Sequence, residues 1–128
     1  MFFAGTIPDE DLPAFYAASD IFLLPNRVDD GDIEGFGIVF LEAAAAGKPV
    51  IGGDSGGVPE AVERDVTGLL VDGASVAAVA AAIADLATSE ERRGRMGLAG
   101  RVRAHRCFSW QRAAVAVSEL QRRVASHA

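Results

Sequence analysis

Three short runs that are apolar at nearly every position constrain this chain most: residues 21–24 (Ile-Phe-Leu-Leu), 50–52 (Val-Ile-Gly) and 68–71 (Gly-Leu-Leu-Val). A strand with one face in water alternates apolar and polar side chains. These runs do not alternate, so they suit strands covered on both faces, the condition of a parallel sheet with crossover helices above and below it. The intervening segments read as those helices. One is expected from the capping residue Asp9 through about Ser19, with Glu10 and Asp11 in its positive first turn and Pro13 early enough to be tolerated. A second is expected over residues 36–46, ended by Gly47 and then Pro49. A Gly-rich turn at residues 52–57 leads into a short third helix near residues 59–63. This alternation predicts an α/β fold, a partial Rossmann-like three-layer parallel sheet.

After Val71 the pattern is helical only. Val76, Val79, Ile83 and Leu86 mark one helix at spacings of three and four. Thr88 and Glu91 form a capping box for the next, which runs to about Arg106. Ser109 caps a third, with Trp110, Ala113, Val117, Leu120 and Val124 as its apolar stripe.

A chain of 128 residues is long enough to bury a core. No apolar run approaches the ~20 residues that span a bilayer, and Met1-Phe2-Phe3-Ala4 lacks the basic flank and cleavage site of a signal peptide. The lone Cys107 cannot form an internal disulfide, which suits a reducing cytoplasm; beside Phe108 it is expected to be a buried thiol. His105 and His127 lie far apart, so no metal cluster is expected. The net charge of −6 is unevenly spread. Residues 1–72 hold fourteen acids against Arg27, Lys48 and Arg64, whereas from Arg92 to Arg123 nine arginines meet one acid, Glu119. A basic run can mark membrane phosphates or nucleic acid. No aromatic platform is interleaved here to stack successive bases, so solvated helix faces are expected and nucleic-acid binding is not.

Ligands of parallel α/β sheets bind at the carboxyl ends of strands. Three loops fall there: Gly5-Thr6-Ile7-Pro8, residues 27–37 and residues 52–57. The second leads into Glu34-Gly35-Phe36-Gly37-Ile38-Val39-Phe40-Leu41-Glu42. Glycines at a helix start let backbone N–H groups approach an anion, and the helix dipole favours negative charge there. Glu34 and Glu42 are eight residues apart, about 12 Å along a helix at 1.5 Å per residue. An acid/base pair sharing one bond sits closer, since even inverting glycosidases hold their carboxyls at roughly 6.5–9.5 Å. The spacing suits two ends of one extended polar ligand. On spacing alone, a solvent-facing Glu42 fits equally well.

Glu34–Glu42, followed by residues 43–47, Pro49-Val50-Ile51, Ser55-Gly56-Gly57-Val58-Pro59-Glu60 and Thr67-Gly68-Leu69-Leu70-Val71, resembles the C-terminal domain of retaining GT-B glycosyltransferases of family 4. The two glutamates are similar to that family's E-x7-E motif. The acidic loop before Glu34, with Gly37-Ile38-Val39, is similar to phosphatidylinositol mannosyltransferases. The resemblance covers nearly the whole chain and implies the C-terminal half of a GT-B fold, followed by C-terminal helices. It implies that Glu34, the catalytic-site residue, binds hydroxyls of the donor sugar and Glu42 those of the ribose. Backbone groups of Gly35, Phe36, Gly37, Ile38 and Val39 would hold the sugar and pyrophosphate, and Gly5, Thr6 and Ile7 would border the nucleobase. The implied reaction moves a hexose from a GDP- or UDP-linked donor with retention, with no cofactor and no required metal. The implied setting is the cytoplasm or the inner membrane face, with peripheral membrane contact where the acceptor is a lipid.

The resembling domain normally opens with two further strand–helix units, which carry an Arg and a Lys that grip the donor diphosphate. Arg27, Lys48 and Arg64 match neither position. Two charged hydrogen bonds at about 1.5–3 kcal/mol each outweigh what a helix terminus supplies, roughly 0.3–1 kcal/mol. In the strand order 3-2-1-4-5-6 the missing strands are central, so the stub Phe2-Phe3-Ala4 has no neighbour unless it slides across to the strand at residues 21–24. Residues 1–128 are therefore expected to be a partial nucleotide-sugar-binding domain, inactive alone, that needs a missing N-terminal part or a partner chain. The last helix is then a candidate exposed surface. The alternative is a non-catalytic nucleotide-sugar-binding or interaction module. A flavodoxin-like signalling domain lacks support, because its acidic cluster and strand-end lysine are not found.

Overall fold

The three apolar runs form strands, and they pair in parallel in chain order, β1 (Phe22–Leu24) with β2 (Val50–Gly53) and β2 with β3 (Gly68–Val71). Phe22 aligns with Val50, and Ile51 with Leu69. The computed structural model describes residues 1–26 and 37–126. The helices are α1 (Leu12–Ala18), α2 (Ile38–Ala45), α3 (Val58–Ala61), α4 (Val76–Thr88), α5 (Glu90–Cys107) and α6 (Trp110–Ala125). The fold is thus the expected α/β sheet followed by C-terminal helices.

Strand alternation divides the core in two. One face gathers Phe40, Ala43, Val50, Val58, Ala61, Val62 and Leu70, with Phe22 and Leu24 packed on. The other gathers Ile51, Leu69, Ala82, Leu86 and Met96. Coverage of β1 on both faces is not realised: Leu23 is 39% exposed. The second face is covered by α4, which packs on β2 and β3, and by α5, which packs on β3, with Ile21 just before β1 joining that cluster. The stub Met1–Phe3 is exposed and joins no strand.

Helix starts depart from expectation for local reasons. The first helix begins at Leu12 rather than after Asp9, with Asp11 at its N-cap and Pro13 inside the first turn, where a missing N–H costs nothing. Thr88 does not cap α5. It closes α4 instead, its hydroxyl donating to Ala84 O, while Ser89 Oγ accepts from Arg92 N and starts α5. The other expected caps form, Ser109 Oγ accepting from Arg112 N. On α4 the buried stripe is Ala82 and Leu86; Val76 and Ile83 are exposed.

Helix α5 passes beneath the amino-terminal ends of the strands. Gly97 lies against Gly47 just before β2, and Gly100 against Ala44 and Thr67. Its arginines are only partly the solvated face expected from the sequence. Arg93 donates to Leu86 O and Ala87 O, Arg103 donates to Ala61 O and Glu60 O, and Arg92 pairs with Asp85 at 2.5 Å. Cys107 is exposed, not buried: it ends α5 and borders open grooves there. Since α5 closes the amino end of the sheet, the carboxyl end is left for a ligand.

Candidate functional site

The expected site lies around α2. Glu34, Gly35 and Phe36, and the loop before them, fall outside the described residues. Gly37 is the N-cap of α2, with φ 72°. A Cβ there would meet the Phe40 ring at 2.6 Å, so this glycine is required by backbone handedness and by the core beneath it. Val39 packs on the core, whereas Ile38 is exposed at the helix start.

Glu42 sits one turn further along α2, exposed, on a ridge between two grooves. On one flank, Leu12, Pro13 and Tyr16 of α1 and Arg101 of α5 join Glu42 around a groove of about 800 Å³ that also reaches Asp9. On the other, Ile38 and Leu41 face Phe108, Trp110 and Ala113 across a more apolar groove of about 720 Å³. The side chain of Glu42 is drawn to the first flank. Tyr16 Oη donates to its Oε2 at 2.9 Å. Burial pushes the Tyr16 phenol up to about 12, helped by that hydrogen bond and by the carboxylate charge, both of which oppose a second negative charge. Gly5, Thr6 and Ile7 precede α1; Gly5 has φ 70° and Ile7 is half-buried.

At the carboxyl edge of the sheet, Asn26 Oδ1 accepts from Gly53 N at 3.0 Å, tying the exit of β1 to the end of β2. Asn26 Nδ2 and Ser55 Oγ are buried without a hydrogen-bond partner.

The described cations of the first half are engaged elsewhere. Lys48 Nζ donates to Ala17 O at 2.8 Å, and Arg64 donates to Leu70 O and pairs with Asp54. Among the described residues no cluster of His, Cys, Asp and Glu is arranged to hold a metal, and no helix is long and apolar enough to cross a membrane. Sequence reasoning missed Tyr16 and Arg101. The signal available for Tyr16 was its place four residues after Leu12, on one side of α1. No sequence signal marked Arg101, which reaches the groove only because α5 crosses α2. The apolar stripe of α6 is exposed as expected: Trp110, Val117, Leu120 and Val124 are uncovered, and no residue of that helix is buried.

Residues 1–103 match a family model described as "Glycosyl transferases group 1". The chain is 45% identical to a GDP-mannose-dependent alpha-(1-6)-phosphatidylinositol monomannoside mannosyltransferase of Mycobacterium tuberculosis, over 94% of this chain and 32% of that protein. It thus spans about a third of the length of the curated relatives it matches. A sucrose-phosphate synthase from Thermosynechococcus elongatus superposes with a TM-score of 0.89 at 31% identity, over 99% of this chain and 31% of that one. The C-terminal domain of a glycosyl transferase group 1 family protein from Francisella tularensis superposes with a TM-score of 0.73 at 26% identity, over 85% of this chain and 53% of that one.

Proposed function

The chain belongs to the glycosyl transferases group 1 family, and on that premise we propose that it is the donor-binding part of an enzyme moving a hexose from a nucleoside diphosphate sugar, GDP- or UDP-linked, to an acceptor. In this reading the transfer follows the retaining, metal-independent course of family 4, and the two glutamates act as its E-x7-E motif. The observation that carries it is Glu42, an exposed carboxylate on a groove, turned by Tyr16 toward α1. A carboxylate that only accepts suits the paired hydroxyls of a ribose. Glu34 then holds the donor sugar, and the backbone of residues 35–39 holds the sugar and diphosphate. The chain's likeness to a GDP-mannose-dependent phosphatidylinositol monomannoside mannosyltransferase supports a mannosyl donor and a lipid acceptor; a lipid acceptor in turn suits work at the cytoplasmic face of a membrane.

Two outcomes test this. In the intact enzyme, Glu42→Ala weakens donor affinity by roughly 1–3 kcal/mol, the cost of a lost charged hydrogen bond, as read by calorimetric titration with GDP-mannose and UDP-glucose. Unchanged affinity for both donors removes Glu42 from the site. Second, the 128 residues alone transfer no sugar, because none of Arg27, Lys48 and Arg64 matches the family's two diphosphate-gripping positions, and Lys48 and Arg64 are held in structural bonds. Donor-dependent product formed by the purified chain contradicts this.

A further inference from the structure

We propose that Tyr16 is a positioning residue for Glu42, its hydroxyl holding Oε2 so that the carboxylate is presented to the ribose from the α1 flank. The inference rests on the reading of Glu42 as the ribose-binding carboxylate. Glu42 borders grooves on both sides of α2, and an exposed glutamate is free to turn to either. Fixing such a side chain costs rotamer entropy, which a ligand must supply unless the protein has already done so. The 2.9 Å bond from Tyr16 does this beforehand. It occupies one acceptor direction of Oε2 and leaves the remaining lone pairs of the carboxylate for donors from a ligand.

Tyr16 is itself held by a chain of rings that ends in the core. Its ring meets Phe22 with centroids 5.8 Å apart, and Phe22 meets Phe40 edge-on at 5.6 Å. Phe40 is 1% exposed, so the far end of this chain does not move. Helix α1 has no fully buried residue, and Lys48 Nζ fixes its last turn through Ala17 O. The hydroxyl of Tyr16 is therefore aimed from a braced ring on an otherwise lightly anchored helix. A purely structural tie between α1 and α2 would use the same bond, so the test must separate stability from hydroxyl recognition.

The test compares GDP with 2′,3′-dideoxy-GDP on the intact enzyme and on its Tyr16→Phe variant, by calorimetry or ligand-observed NMR. The unaltered enzyme prefers GDP. In Tyr16→Phe that preference falls by roughly tenfold, the factor that about 1.4 kcal/mol represents, while affinity for the dideoxy compound is unchanged. Equal losses for both compounds identify a structural tie and overturn the proposal. An unaltered enzyme that binds both compounds equally overturns the ribose reading itself, and the proposal with it. A ligand-free readout accompanies this. Tyr16 is the single tyrosine, so the ultraviolet signal of tyrosinate reports it alone. Its ionisation midpoint, about 12, moves down toward the ordinary phenol value in Glu42→Gln. Burial, the larger cause, persists in that variant, so the expected fall is partial, and a midpoint that does not fall at all overturns the proposal.

Discussion

Gly53→Ala is expected to destabilise the chain by roughly 3 kcal/mol, the upper end of the usual range for overpacking a tight site. Gly53 ends β2, and a Cβ built on it would lie 1.7 Å from the carbonyl oxygen of Asn26 and 2.7 Å from its carbonyl carbon. The obstacle is backbone, so no rotamer change relieves it. Moving Asn26 away breaks its side-chain bond to Gly53 N and lifts it from Gly73, where a Cβ would again meet its carbonyl oxygen, at 2.4 Å. Because Asn26 is the exit of β1 toward the segment bearing Glu34, donor binding should fall along with stability. Gly94→Ala is the matched control. Gly94 lies within α5 with nothing near a new Cβ, so the same substitution should stabilise by roughly 0.5–1 kcal/mol, the helix preference for Ala over Gly. Urea unfolding followed by circular dichroism measures both. Two changes of the same sign would refute the close approach of Asn26 to Gly53.

Phe40→Ala is the second large effect, a loss of about 3–5 kcal/mol for an emptied aromatic site. Phe40 is 1% exposed and fills the space under α2, where the Gly37 and Gly52 positions leave room for its ring. A Cβ at Gly52 would meet Phe40 Cε1 at 3.1 Å, so the absence of side chains there is part of how the ring fits. The ring also presents its edge to Phe22, which in turn borders Tyr16. Removal therefore leaves a cavity and slackens the support of Tyr16, so that Glu42 loses its preferred side as well as its foundation. Ile38→Ala, two residues earlier on the exposed start of the same helix, should stay within about 0.5 kcal/mol of the parent. Denaturant midpoints decide the matter, and a Phe40→Ala loss below roughly 1.5 kcal/mol would mean that the surroundings collapse into the space.

Much of this molecule was legible in the order of its residues. Unbroken apolar runs called for parallel strands, and all three appear close to their expected bounds, because a strand between helix layers excludes polar side chains at every position. The stop at Gly47 and the cap at Ser109 were equally plain, since each depends on local backbone geometry alone. Errors arose where a neighbour distant in sequence decides. Thr88 and Ser89 both suit a cap, and the choice between them depends on where α4 ends. Leu23 has the side chain of a buried residue, but at its place on β1 it stays 39% exposed.

The site divides in the same way. The spacing of Glu34 and Glu42 and the glycines between them left a ligand loop and a solvent-facing Glu42 equally open, and the resemblance, not the spacing, made them candidates. That Glu42 leans toward α1 could not be read there. Tyr16 lies twenty-six residues earlier, and Arg101 belongs to a helix that reaches α2 only by passing beneath the sheet. Sequence determined the strands, the glycine-dependent turns and the candidate carboxylates, since each is set by residues within a few positions of one another. Tertiary structure alone decided which face of β1 stays open, which flank Glu42 serves and which ring holds it there, because those outcomes depend on packing between segments whose separation along the chain leaves no periodic trace.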